Sequence, residues 1–255
     1  MSFDTIMTGL ERPVSFYFIR HGESEGNARG IVQGREDALL TDRGRTQAVR
    51  AGQWLKSLKV NPDAVRTSPL QRAGETARII TGLTPDDARY GVITELQELD
   101  TGIFSGYSLQ EAQEKMPRDY QEFTARSWDS VPGAEGRVAL TDRALRVWQI
   151  LAETANALPA DPSLESSESS RNAEEPGRAT VLCVTHGGLI QWLLKTSFGA
   201  TREAPREWMP LIKVSNCGVF QIDLRPVRTV DRQDRPLRWF HAQWSRINET
   251  APRDT

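Results

Sequence analysis

Val14-Ser15-Phe16-Tyr17-Phe18-Ile19-Arg20-His21-Gly22-Glu23-Ser24 contains an abrupt change of character. Its first six residues are mostly apolar, aromatic or β-branched, the pattern of a central buried strand, and they run straight into Arg20-His21-Gly22. The arrangement returns far downstream. Thr180-Val181-Leu182-Cys183-Val184-Thr185 is the clearest buried strand of the chain, and it runs into His186-Gly187-Gly188, which opens an apolar helix from Leu189 to Phe198. Two strands that each end in a histidine point to one shared edge, because open α/β sheets bind ligands beyond the carboxyl ends of their strands.

Strands and helices alternate around these two anchors. Thr41 and Asp42 offer an N-cap to a helix in which Ala48, Ala51, Leu55 and Leu58 recur at helical spacing, ending before Asn61-Pro62. Asp63 to Thr67 reads as a strand, and Ser68-Pro69 opens a helix to Thr81, with Arg72 on its first turn. A third strand is expected at Val92 to Leu96, then a loop from Glu98 to Gly106 and a polar helical stretch from Leu109 to Ser127. A helix over Val138 to Ala157 follows Pro132-Gly133, and Val214 to Leu224 and Arg238 to Ser245 read as further strands. The pattern predicts an α/β fold, a three-layer α/β/α sandwich around a mainly parallel sheet, with a helical lid insertion over about residues 105–135. It predicts one domain over 13–247, a mobile Ser-rich acidic insertion at 159–178 and a frayed tail at 248–255.

Composition narrows the class of partner. The chain has 255 residues with 32 basic and 34 acidic side chains, a net charge of −2, and 38% hydrophobic residues, which excludes wholesale disorder and fibrous repeats. So balanced a charge gives no overall attraction to nucleic acid or to an anionic membrane, and neither is expected as a partner. No apolar run approaches the roughly 18 residues that a bilayer span needs, and Met1 to Arg12 lacks the pattern of a signal peptide, so a cytoplasmic location is expected. Cys183 and Cys217 lie in apolar runs and read as reduced, buried thiols. Three dispersed histidines and two separated cysteines offer no zinc spacing, so no metal is expected.

His21 and His186 at strand ends, the Gly187-Gly188 pair at a helix start and Arg72 on a capped helix all suit an anion, and guanidinium groups match phosphate oxygens in bidentate fashion. Singly, each such residue is more often a structural hydrogen bonder than a catalyst. The string as a whole says more. Arg20-His21-Gly22-Glu23-Ser24 with Asn27 resembles the signature of the histidine phosphatase superfamily, the phosphoglycerate mutase-like proteins. The resemblance continues through Gln33-Gly34-Arg35-Glu36-Asp37, Leu40-Thr41-Asp42-Arg43-Gly44, Ser68-Pro69-Leu70-Gln71-Arg72-Ala73 and Glu98-Leu99-Asp100-Thr101-Gly102. It returns at Thr185-His186-Gly187-Gly188 and Asn216-Cys217-Gly218.

The resemblance implies that His21 is the nucleophile, that Arg20, Arg72 and His186 clamp the phosphate, and that Glu98, ahead of Glu95, is the proton donor. Ser24, Asn27, Gln33, Gly34 and Gly187 are implied as substrate-binding positions. The expected activity is metal-independent hydrolysis of a phosphomonoester through a phosphohistidine, without a cofactor, on a small phosphorylated metabolite or a phosphoprotein. Two alternatives stand beside it: phosphoglycerate mutase-type transfer, and a non-catalytic phosphate-binding or signalling module on the same fold. Leu99-Asp100-Thr101 replaces the Arg-His-Tyr that follows the acid in cofactor-dependent mutases, which favours the hydrolase. Where relatives commonly read Gly-Glu-Ser after the proline, this chain has Gly133-Ala134-Glu135-Gly136. His241, Trp192 and Leu193 read as structural.

Overall fold

The computed structural model describes residues 1–159, 177–203, 212–231, 233 and 235–252. Most of the expected insertion at 159–178, and the last three residues of the expected tail, lie outside the described residues. Alternation along β1 (Val14–Arg20) divides the core in two, because successive side chains of a strand point to opposite faces. Val14, Phe16 and Phe18 enter one cluster with α1 (Phe3–Met7), α7 (Arg137–Ala157) and α8 (Gly187–Ser197), packed around the fully buried Trp148. Tyr17 and Ile19 enter the other, with α3 (Asp42–Ser57) and α4 (Gln71–Thr81). The result is the three-layer sandwich.

The sheet runs in the order β3 (Tyr90–Val92), β2 (Ala64–Thr67), β4 (Ala179–Thr185), β1, β5 (Val219–Val230), β6 (Pro236–Glu249). The first four strands are mutually parallel; β5 pairs antiparallel with β1, and β6 antiparallel with β5. The chain leaves β1 toward β2 on one side and leaves β4 toward β5 on the other, so the reversal of direction falls between β1 and β4. A short helix, α2 (Glu25–Ala28), follows β1 directly. Two more, α5 (Leu109–Lys115) and α6 (Pro117–Arg126), form the helical excursion expected over 105–135, with its own apolar cluster around Phe104, Ala112 and Val131.

Several boundaries differ from expectation. The third strand is Tyr90–Val92, and Thr94–Leu96 is a 3₁₀ turn, because Ile93 and Leu96 bury in the same cluster, which needs helical rather than alternating spacing. α4 begins at Gln71 instead of Pro69: the remote Asp37 carboxylate accepts from the Gln71 N–H at 2.8 Å, while the Ser68 hydroxyl meets the Leu70 N–H at 3.2 Å and His186 Nε2 at 2.8 Å. β5 starts at Val219, not Val214, since Cys217, with φ 53°, brings its N–H back onto the Arg20 carbonyl at 2.9 Å. Residues outside 13–247 also pack into the core and the sheet. Ser2 caps α1, whose Phe3, Ile6 and Met7 lie in the core, and β6 continues to Glu249. Asn248, expected in a frayed tail, is instead anchored by bonds to the Ser215 N–H and hydroxyl at 2.7 and 3.2 Å. Cys183 and Cys217 are free and buried, and burial pushes both thiols up to about 12.

Candidate active site

The parallel register that pairs Arg20 with Thr185 sets the next residue of each strand side by side. His21 donates its backbone N–H to the Thr185 carbonyl at 2.9 Å, and the rings of His21 and His186 lie 5.1 Å apart, centre to centre. His21 Nδ1 is 2.7 Å from the Gly22 carbonyl, and Arg72 Nε approaches His21 Nε2 at 3.3 Å. A carbonyl can only accept and a guanidinium can only donate, so the hydrogen-bond network assigns the ring proton to Nδ1 and the lone pair to Nε2. Burial pushes the His21 pKa well below the ordinary 6.5, and the charges of Arg20 and Arg72 push the same way. The ring is therefore neutral at pH 7.

Arg72, 1% exposed, reaches this position from the first turn of α4, and donates to the carbonyls of Glu36 and Gly34 at 2.7 and 2.9 Å. Arg20 donates through one terminal nitrogen to the Val214 carbonyl at 2.7 Å. His186 bonds through Nε2 to the Ser68 hydroxyl at 2.8 Å, and burial lowers its pKa well below 6.5, with the Arg72 and Arg20 charges pushing the same way. Two buried polar side-chain atoms have no partner among the described residues: Arg20 Nε and His186 Nδ1. Buried polar groups are paired in the great majority of cases, and both orphans belong to residues that adjoin His21, one in sequence and one by ring packing.

Glu98 faces this cluster from the loop after the 3₁₀ turn. Its carboxylate accepts from Leu99 N–H at 2.9 Å and from Gly188 and Leu189 N–H at 3.2 Å each, using orphan donors of the first turn of α8. It is also the foremost opposite charge acting on both Arg20 and Arg72. Gly188 makes this approach feasible: a Cβ there would lie 2.1 Å from Leu99 Cδ2 and 2.5 Å from Glu98 Oε1. Glu95 presents its backbone carbonyl to Arg143 instead and does not line the cleft.

A cleft of about 190 Å³ is walled by Arg20, His21, Arg72, Glu98, Asn27, Gln33, Gly34 and Thr101, with Ile31, Val32, Leu99 and Trp128 as its apolar side; His186, behind His21, is not on its wall. Of the positions implied by resemblance, Asn27, Gln33 and Gly34 line it. Ser24 does not: it is fully buried, caps α2 through Asn27 N–H, and donates to Gln33 Oε1 at 2.9 Å. Gly187 lies beside Arg20 rather than on the cleft wall, a Cβ there falling 3.6 Å from Arg20 Nε. Asn216 was given no role by the sequence, yet its side-chain N–H groups donate to the His21 carbonyl at 3.1 Å and to Asn27 Oδ1 at 3.0 Å. Its signal was the Asn216-Cys217-Gly218 string; Gly188 was hidden because Gly187 stands beside it.

Among the described residues, no group of three or more His, Cys, Asp or Glu is placed to hold a metal ion, and no helix is long and apolar enough to cross a membrane. Residues 16–161 match the family model of the histidine phosphatase superfamily, branch 1. A 2,3-bisphosphoglycerate-dependent phosphoglycerate mutase of Bartonella bacilliformis is 30% identical over 186 residues, covering 72% of this chain and 82% of its own length. A solved structure of mycobacterial glucosyl-3-phosphoglycerate phosphatase with bound VO3 superposes with a TM-score of 0.63 at 25% identity, covering 94% of this chain and all of that one. The crystal structure of a putative alpha-ribazole-5'-P phosphatase from Escherichia coli shares the fold, with a TM-score of 0.67 at 22% identity over 95% of this chain and 99% of that one.

Proposed function

The chain is a member of the histidine phosphatase superfamily, and on that footing we propose that it is a phosphomonoester hydrolase that works through a phosphohistidine on His21. The observation that carries this reading is the pair of unpartnered buried nitrogens, Arg20 Nε and His186 Nδ1, on residues that adjoin an imidazole whose acceptor nitrogen is Nε2. Phosphoryl transfer through a loose transition state needs in-line positioning and fixed positive charge, and Arg20, Arg72 and a donor from His186 supply them. Ser68 accepts from the Leu70 N–H and can donate its own hydrogen to His186 Nε2, which leaves the proton of His186 on Nδ1, available to a phosphate oxygen.

In the first step His21 Nε2 attacks phosphorus, the bond from phosphorus to the leaving oxygen breaks, and a proton held by Glu98 passes to that oxygen. In the second step water attacks the phosphohistidine, Glu98 takes a proton from it, and the phosphorus–nitrogen bond breaks to release inorganic phosphate. The guanidinium groups carry the charge stabilisation, so the scheme routes no step through a metal. Arg72 Nε releases His21 Nε2 and turns to the phosphate as the substrate enters; at 3.3 Å that contact is long and easily exchanged.

Hydrolysis is favoured over mutase chemistry by the cleft wall. Among the described residues lining it, Arg20 and Arg72 are the cations, and both serve one phosphate; Ile31, Val32, Leu99 and Trp128 occupy the remaining side, where a second anionic group of a bisphosphorylated cofactor or a carboxylate would need its own partner. A small phosphorylated metabolite with an apolar face suits this wall. The test is phosphate release from a panel of phosphomonoesters in excess chelator, with His21→Ala alongside and with 3-phosphoglycerate isomerisation assayed in parallel. Release by wild type alone is expected. A loss of under tenfold in His21→Ala, or isomerisation outrunning phosphate release, would overturn the reading.

A further inference from the structure

Away from the cleft, on α7, Arg143 is nearly fully buried, with a side chain 5% exposed, and it meets Glu135, itself 11% exposed. The pair is bidentate: Arg143 Nε and a terminal nitrogen donate to the two Glu135 oxygens at 2.7 Å each. Burial works to raise the Glu135 pKa, but the Arg143 hydrogen bonds and the Arg143 and Arg35 charges outweigh it and hold the carboxyl below its ordinary value. The other terminal nitrogen of Arg143 donates to two backbone carbonyls, Glu95 at 2.8 Å and Gln97 at 2.7 Å. These flank the approach to Glu98. On the far side, the Glu135 N–H donates to the Asp100 carbonyl at 2.9 Å, and Arg35, paired with Glu135 at 3.0 Å, reaches the Glu98 carbonyl at 3.5 Å. Every carbonyl from Gln97 to Asp100, except that of Leu99, is thus bonded to one connected cluster.

A buried ion pair is weak as a source of stability, because desolvation of two charges offsets their attraction, so its presence calls for another use. We propose that Arg143 and Glu135 are positioning residues for Glu98, fixing the backbone from Gln97 to Asp100 so that the carboxyl is held at the leaving oxygen. Neither lines the cleft. Only Arg can do this from one position, since its planar fork meets a carboxylate along one edge and two carbonyls with the remaining nitrogen; a Lys ammonium is a single point.

The inference rests on Glu98 being the proton donor, and leaving-group dependence separates the two claims. An alkyl phosphate expels a strongly basic alkoxide and needs the proton; 2,4-dinitrophenyl phosphate expels a weakly basic phenolate and does not. The value of kcat/KM reports the steps up to the phosphohistidine. Expected for Glu98→Gln is a loss of about a hundredfold or more on the best alkyl ester from the panel and little change on the dinitrophenyl ester. Arg143→Met is expected to show the same bias at about thirtyfold, with Arg143→Lys and Glu135→Gln intermediate. Thermal melts accompany each variant, and the two milder substitutions carry the test if Arg143→Met does not fold. Equal losses on both esters in the Arg143 and Glu135 variants, with the bias intact in Glu98→Gln, would show a merely structural role and overturn the inference alone. No bias in any variant would overturn the role of Glu98, and the inference with it.

Discussion

His21 and His186 are neutral because they are buried among guanidinium groups, and that one fact governs both chemistry and stability. An imidazole carrying its proton on Nδ1 and a lone pair on Nε2 is ready to attack without first losing a proton, so the acid limb of kcat/KM should fall below the ordinary histidine value of 6.5. For stability the sign follows from proton uptake: below 6.5 the unfolded chain protonates both histidines while the folded one does not. Stability is therefore complete above that pH and is lost as the pH falls from 6.5 toward the lowered folded values. Chemical denaturation from pH 7.5 to 5 should show the decline, and His21→Asn should make it shallower; a flat profile would contradict burial of the neutral rings. In turnover, His21→Ala should lose on the order of a thousandfold or more, measured as phosphate release, because the covalent route is removed. His21 itself was legible from the sequence. The tautomer was not, because the Gly22 carbonyl fixes it together with Arg72, which arrives from α4 far along the chain.

Helix α8 is where element-level forces compete. Gly188 in a helix costs about 1 kcal/mol relative to alanine, so propensity alone favours Gly188→Ala. The added Cβ, however, would enter the space of Leu99 and of the Glu98 carboxylate, and overpacking of that kind costs roughly 1 to 3 kcal/mol. Overpacking should win. The expected outcome is a lowered melting temperature together with a fall of about tenfold or more in kcat/KM on an alkyl phosphate, since Glu98 must move. Gly187→Ala, with only ordinary contacts to Arg20, is the milder comparison, and an equal effect from the two would refute the assignment. The helix was readable from its apolar run after His186. Which of two adjacent glycines the fold requires was not, because the answer lies in a loop 90 residues earlier. The start of α4 shows the same limit: Ser68-Pro69 is a sound local cap signal, yet the bond that sets the first turn comes from Asp37.

At the scale of the molecule, the four parallel strands β1 to β4 present their carboxyl ends to the side of the cleft, and their amino ends face away. The chain from Pro159 to Gly177 leaves and returns at that opposite end: the Pro159 carbonyl accepts from Arg12 at 3.0 Å, and Ala179 N–H donates to Pro13 at 2.9 Å. Replacing residues 160–176 with a short Gly-Ser linker should therefore leave kcat/KM within about threefold, because loop closure depends only weakly on length. Loss of activity with the melting temperature preserved would give the segment a part in docking or catalysis. The strand-ending histidines and the helix periodicities follow from the sequence by itself, since each depends on neighbours within a turn or a strand. The Arg143–Glu135 clamp, the anchoring of Asn248 and the placing of His21 against His186 were decided only by the tertiary structure. Each joins residues far apart in the chain, and such contacts form only when strand register and helix packing bring them within hydrogen-bond reach.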